Sequence, residues 1–288
     1  MNQLNLFINL TRLKKPIGYM LLFWPCAWGL TLAYDFSSNL NNYFIYLILF
    51  FLGAVLMRSA GCIVNDILDK EFDKKVFRTK NRPIASGQIS IKVAFLYAII
   101  LCLLALFVLL NFNQFTIILA LGSMPLAFTY PLMKRFTYWP QLFLGITFNY
   151  GLVLGWTAIK GEIDIIPIIF YLGAIFWTLG YDTIYGYQDI KDDEIIGLKS
   201  TSIKFKGTAK FFLLVCYLIL TFSLIIGGYM LNFDLFYYLF LIIPIIYLFF
   251  YQIKIFKSNN PNICLKIFKS NNYFGFIILT NILIGKIF

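Results

Sequence analysis

Long apolar runs separated by short polar segments dominate the pattern of this chain, the clearest of them at about 93 to 111 and about 210 to 230. A run of about 20 apolar residues is enough to carry a helix across about 30 Å of hydrocarbon. From apolar length and flanking polar residues, nine helices are predicted, at about 17 to 34, 43 to 65, 93 to 111, 115 to 132, 138 to 158, 165 to 187, 210 to 230, 235 to 252 and 272 to 287. No interval between them is long enough for a soluble domain, so residues 1–288 read as one all-α, polytopic membrane bundle. The segment before the first run carries Arg12, Lys14 and Lys15 and superficially resembles a secretory leader. The run that follows is too long and too aromatic for that, and no small-residue cleavage pattern comes after it, so it is expected to be a retained helix.

Basic residues orient the bundle. With the N-terminus cytoplasmic, 21 of the 24 lysines and arginines fall in cytoplasmic segments, leaving Lys160, Lys286 and the intramembrane Arg58. Positive-inside retention thus accounts for the net charge of +11, and nucleic acid is not expected as a partner. The five cysteines are too scattered for a disulfide framework or a thiolate metal site. Histidine is absent, which leaves carboxylates as the available acid–base and metal-binding groups.

Acidic residues are the more informative set. Nine of the 13 lie in two places: Asp66, Asp69, Glu71 and Asp73 after the second predicted helix, and Asp182, Asp189, Asp192, Asp193 and Glu194 at the end of the sixth. Positions 66, 69 and 73 have helical spacing, and Arg58, Cys62 and Asn65 extend the stripe back into the membrane. Positions 182, 185, 189 and 193 form a second stripe, with Tyr185 among the aspartates. Simple pairing of these acids with loop lysines is the plainer reading, but carboxylates at a membrane edge are costly and usually face a cavity. Like charges three and four residues apart repel, so a cation is expected among them. Oxygen-only donors point to Mg²⁺. Interleaved Lys74, Arg78, Arg82 and Lys199 are suited to phosphate, and carboxylates with Mg²⁺ beside phosphate-gripping cations make a diphosphate site. At the mouth of an apolar bundle, the fitting diphosphate is one with a lipid tail.

These residues also carry a resemblance. Asn65-Asp66-Ile67-Leu68-Asp69-Lys70-Glu71-Phe72-Asp73 matches the NDxxDxxxD motif of the UbiA superfamily of intramembrane prenyltransferases, and Asp189 to Asp193 matches its DxxxD motif. Arg12 to Gly18, Arg58 to Cys62, Asn81-Arg82-Pro83 with Ser86-Gly87, Tyr130-Pro131 with Lys134-Arg135, Pro140-Gln141, Asp182 to Tyr185 and Lys199-Ser200-Thr201 look like the branch that prenylates 4-hydroxybenzoate. The likeness runs from about residue 12 to at least residue 208. Gly186 and Leu198 stand where that branch has alanine and valine.

The resemblance implies transfer of a polyprenyl group from its diphosphate to 4-hydroxybenzoate, ortho to the hydroxyl, in ubiquinone synthesis. Abundant Ile, Asn, Lys and Phe point to an AT-rich genome, and a bacterial inner membrane is the expected location. It implies Mg²⁺ held by Asp66, Asp69, Asp73, Asp189 and Asp193 with help from Asn65. Lys134 joins the substrate-binding cations, Arg135 is expected at the benzoate carboxylate and Arg58 at the diphosphate. Asp182 is expected to orient the phenol or take its proton, or else to make a structural hydrogen bond to Tyr185 or backbone. Asp189 and Arg58 complete the expected catalytic set. Other acceptors, such as haem, naphthoate or homogentisate, are the nearest rivals. An ion-coupled transporter would put its acids near the midplane, and a scaffold would not concentrate them at all.

Overall fold

A computed structural model describes residues 3–288, and among them the regular structure is helical throughout. In chain order the elements are α1 (Gln3–Thr11), α2 (Ile17–Ala33), α3 (Leu40–Leu68), α4 (Lys70–Asp73), α5 (Ile91–Leu109), α6 (Gln114–Thr129) and α7 (Met133–Phe136). They continue with α8 (Pro140–Lys160), α9 (Ile165–Gly186), α10 (Ile190–Ile195), α11 (Thr201–Lys204), α12 (Ala209–Met230), α13 (Leu235–Ile246) and α14 (Pro261–Ile287). Seven helical segments among the described residues are long and apolar enough to cross a membrane: α3, α5, α6 with the turns to Phe136, α8, α9, α12, and α13 with its continuation to Ile253. The chain is an integral, multi-pass membrane protein.

Helix α2 lies at the centre and shows why an unbroken apolar run need not face lipid. From Leu21 to Ala33 all but Leu22 is buried, packed among α3, α8, α9 and α14. Closest approach is to α8, where Gly29 lies back to back with Leu152, and Gly155 with Cys26 and Leu30. A Cβ added at Gly155 would come within 2.6 Å of the Leu30 backbone nitrogen. Lipid tails give no hydrophobic drive for helices to associate, so this close packing and interhelical hydrogen bonds hold the bundle together. Asn271 Oδ1 on α14 accepts from Trp177 Nε1 of α9 at 2.8 Å and from Gln252 Nε2 at 2.9 Å, while Tyr217 of α12 donates to Gln252 Oε1 at 2.6 Å. Gln252 lies in a wider, π-type helical segment, Tyr247–Ile253, that begins three residues after Pro244.

Two expectations change. The last helix begins at Pro261 rather than near 272, so Lys266 and Lys269 are helical instead of loop residues. Asn260 caps Ile263 N there and Pro261 takes the first helical position, signals that an apolar-length criterion does not weigh. The second acid stripe is not one continuous helix: α9 ends at Gly186, and α10 restarts after Asp189 in a bridge-region conformation.

Replacing Gly155 by leucine should force α2 from α8. We expect its thermal unfolding in mild detergent to show a loss above about 3 kcal/mol, or no folded population at all. Gly53→Leu, at a site with nothing within 4 Å of the added Cβ, is the control. Equal melting of the two variants would refute the close-packing argument.

Candidate active site

The stripe on α3 survives its own helix end. Asp69 closes α3 with φ −95° and ψ 5°, yet its N–H still bonds Asn65 O at 2.9 Å and Asp73 N bonds Asp69 O at 2.8 Å. The helical path therefore turns through α4 without losing its spacing, and Asp66, Asp69 and Asp73 are all buried. Isolated buried carboxylates are prohibitively costly, and each of these has a cation. Arg12 and Arg82 both reach Asp66 Oδ1, the latter at 3.1 Å, and Arg82 Nη1 also bonds Asp73 Oδ2 at 2.7 Å. Lys134 donates to Asp69 Oδ2, and Arg135, 3.8 Å from Asp69 Oδ1, donates to Leu68 O at 2.6 Å.

The segment between α4 and α5 carries the site across to the second motif. Arg78 Nε donates to Asp189 Oδ1 at 2.8 Å, its Nη2 pairs with Asp189 Oδ2, and its Nη1 donates to Tyr185 Oη at 3.2 Å. Phe77 N bonds Asp192 Oδ2 at 3.2 Å. One stretch of chain thus grips Asp66 and Asp73 with Arg82 and Asp189 with Arg78. The carboxylates draw a segment rich in like-charged lysines onto the site.

Burial pushes the Asp69 and Asp73 carboxyls above the usual carboxylate range, against the pull of Lys134 and Arg82 respectively. Asp193 is raised to about 6, first by burial and then by Asp189, and no side-chain ion pair or hydrogen bond offsets it among the described residues. Burial also lowers the Lys15 ammonium, as do the charges of Arg12, Arg78, Arg82 and Lys269. Asp69 Oδ1 is buried without a hydrogen-bond partner. That free oxygen, unpaired Asp193 and an all-oxygen donor set fit a hard divalent cation. Among the described residues no three acidic, cysteine or histidine side chains gather closely enough to hold an ion by themselves, so water or phosphate oxygens would complete its shell.

Deeper in the bundle, Arg58 stacks over the Phe148 ring at 5.2 Å, with its buried Nε unpartnered. Asp182 of α9 and Tyr130 face it within electrostatic reach. Asp182 makes no hydrogen bond to Tyr185, whose hydroxyl accepts from Arg78 instead. A guanidinium and a carboxyl group thus lie within electrostatic reach of one another below the carboxylate rim, and Tyr185, three residues past Asp182 on α9, pairs with the Phe268 ring at 4.3 Å.

Not every expected residue joins this constellation. Lys74 pairs with Glu71 in solvent, and Lys199 donates to Phe136 O at 3.2 Å beside the Tyr138 ring. The Asn65 side chain has no hydrogen bond among the described residues, which leaves its oxygen available. Sequence reasoning passed over Arg12, whose guanidinium reaches both Asp66 and Cys62 Sγ from a left-handed backbone, φ 57°. Its signal was the Arg12 to Gly18 block, but its charge had been accounted for by membrane orientation.

Residues 22–278 match the UbiA prenyltransferase family. The 4-hydroxybenzoate geranyltransferase 2 of Lithospermum erythrorhizon is 42% identical over 98% of this chain and 91% of its own length. The mitochondrial 4-hydroxybenzoate polyprenyltransferase of Bos taurus is 44% identical over 98% of this chain and 75% of its own. The apo structure of a UbiA homologue from Aeropyrum pernix K1 shares the fold, with a TM-score of 0.67 and 24% identity over 89% of this chain and 97% of that one.

Asp193 gives a pH-dependent expectation. Its carboxyl titrates higher in the folded protein than in the unfolded chain, so its stabilising contribution is full below about pH 4 and is lost as pH rises through about 6. In metal chelator, Asp193→Asn should therefore stabilise the protein above pH 7, by on the order of 1 kcal/mol after allowance for solvent screening, and leave it unchanged near pH 4. Melting curves at the two pH values read this directly; equal effects at both would remove the assignment.

Proposed function

This chain belongs to the UbiA prenyltransferase family, and we propose that it transfers a polyprenyl group from polyprenyl diphosphate to 4-hydroxybenzoate, ortho to the hydroxyl, as a membrane step of ubiquinone synthesis. The observation that carries the reading is the pairing of both acid motifs with cations of one segment, Asp189 with Arg78 and Asp66 and Asp73 with Arg82, above the deeper Arg58 and Asp182. The 4-hydroxybenzoate names of the relatives reported above support the choice of acceptor.

In the reaction the allylic C–O bond breaks, a C–C bond forms to the ring, and the ring carbon loses its proton as diphosphate departs. Mg²⁺, bound by oxygens of Asn65, Asp66, Asp69, Asp73, Asp189 and Asp193, would neutralise the leaving diphosphate. Arg12, Arg78, Arg82 and Lys134, now on carboxylates, can exchange those partners for phosphate oxygens as charge develops there. The packed segment over the mouth keeps water from the allylic cation, and the Tyr185 and Phe268 rings offer it aromatic faces. Position supports exchanging the roles first expected of two arginines. Arg58, deep and unpaired, suits the benzoate carboxylate, while Arg135, beside Asp69 at the rim, suits the diphosphate end. Asp182 then faces the phenol and can orient it or accept its proton.

The reading extends to the whole chain as one domain. It has nine crossings, with α2 and α14 joining the seven apolar segments, and a cytoplasmic N-terminus and active site in a bacterial inner membrane. The distribution of basic residues supports that orientation.

An assay in membranes with geranyl diphosphate, 4-hydroxybenzoate and Mg²⁺ tests the activity. We expect a prenylated benzoate, abolished by chelator and restored by Mg²⁺. Asp66→Ala, Asp69→Ala and Asp189→Ala should each lower turnover at least about a hundredfold, about 2.7 kcal/mol in barrier, while the protein stays folded. Activity within about threefold of the parent for all three would end the assignment. Separately, Arg58→Ala should raise KM for the benzoate at least about tenfold with little change for the prenyl donor, and Arg135→Ala the reverse. The opposite pattern would restore the first expectation.

A further inference from the structure

Where the first turn of α8 meets the last turns of α9 and the start of α12, the bundle leaves a groove of about 790 Å³. Trp139, Leu142, Phe176, Leu179, Phe212 and Val215 form its walls, and it opens beside Phe211, one of the most exposed apolar side chains. Its wall residues occupy the ends of α8, α9 and α12 that adjoin the acid-motif loops, so it lies in the leaflet on that side. No carboxylate is among the residues that line it.

The rim of this groove is cationic. Lys204 Nζ sits 4.5 Å over the Trp139 ring and 5.7 Å from the centre of Phe205, which stacks on Phe212 at 4.0 Å. Thr208, just before α12, also lines the groove. Lys206, close by in sequence, pairs with Glu194, but Lys204 has no acidic partner among the described residues. Apolar walls at bilayer depth beneath an uncompensated ammonium group at the interface are complementary to an amphiphile with a single anionic head group.

We propose that this groove binds an anionic phospholipid, with one acyl chain between α8, α9 and α12 and its phosphate at Lys204, near Thr208. The prenyl donor is the poorer fit, because the groove has no carboxylate to hold a metal ion against a diphosphate. A lipid seated here would also brace a stretch that supports the second acid motif. Lys204 ends α11, in which Thr201 and Ser202 hydrogen-bond Gln141 of α8 and Thr183 of α9.

Trp139 makes the site directly observable. The full-length protein and its Trp139→Phe variant are reconstituted in phosphatidylcholine vesicles containing graded amounts of phosphatidylglycerol or phosphatidylcholine brominated near the carbonyl end of the acyl chain. The fluorescence difference between the two proteins isolates quenching of Trp139. We expect half-quenching at a mole fraction of brominated phosphatidylglycerol at least about fivefold lower than of brominated phosphatidylcholine. Lys204→Gln, an exposed change, should abolish that preference without unfolding the protein. Equal quenching by the two lipids would overturn the proposal, as would a preference that survives the substitution. Relief of quenching by added geranyl diphosphate would instead make the groove a donor-tail site, and would equally overturn it.

Discussion

Carboxylates at the edge of a low-dielectric bundle must be compensated, and much of the architecture around the mouth follows from that requirement. Asp66, Asp69 and Asp73 lie almost wholly out of solvent, where an unpaired ionised group would be untenable. Three separate parts of the chain therefore converge on them: the turn after α1 with Arg12, the segment before α5 with Arg82, and α7 with Lys134 and Arg135. Buried pairs of this kind seldom add much net stability over apolar packing, so their value lies in function. Partners held by charge alone can be traded for a metal ion and phosphate without dismantling the helices.

That exchange requires a rigid frame. The glycine-mediated approach of α2 to α8 and the Trp177–Asn271–Gln252–Tyr217 network supply it in the interior, where helices gain no hydrophobic advantage from meeting one another. Above this frame the segment carrying Arg78 and Arg82 has few apolar anchors apart from Val76, Ile84 and Ala85. Its position depends mainly on ion pairs to Asp66, Asp73 and Asp189. A covering held by electrostatics over a frame held by packing can respond to an anionic head group while the pocket below keeps its shape.

The two levels of the site divide the chemistry by depth. Oxygen donors and cations at the rim suit a diphosphate, whereas the guanidinium of Arg58 and the carboxyl of Asp182, well inside, suit a small acceptor with an acidic and a phenolic end. Tyr185, three residues past Asp182 on α9, links the two levels: its hydroxyl accepts from Arg78 and its ring pairs with Phe268. Product formation then needs no large movement, only proximity of the allylic carbon to the ring.

Membrane class, the positions of the helices to within a few residues and both acid motifs were legible in the sequence, because apolar length and helical spacing are local properties. The last helix was cut short for the same reason: its first turns are polar, and only capping by Asn260 and Pro261 marks them as helix. Partner choice was not legible. Lys199 and Arg82 look equally suited to phosphate in sequence, yet one caps a carbonyl of the α7 turn and the other bridges two aspartates. Arg12, 54 residues from Asp66, joined the site only once α1 and α3 were packed together. Residue type and spacing determine what chemistry a helix face can offer; which faces meet is decided by long-range packing, and no local periodicity records it.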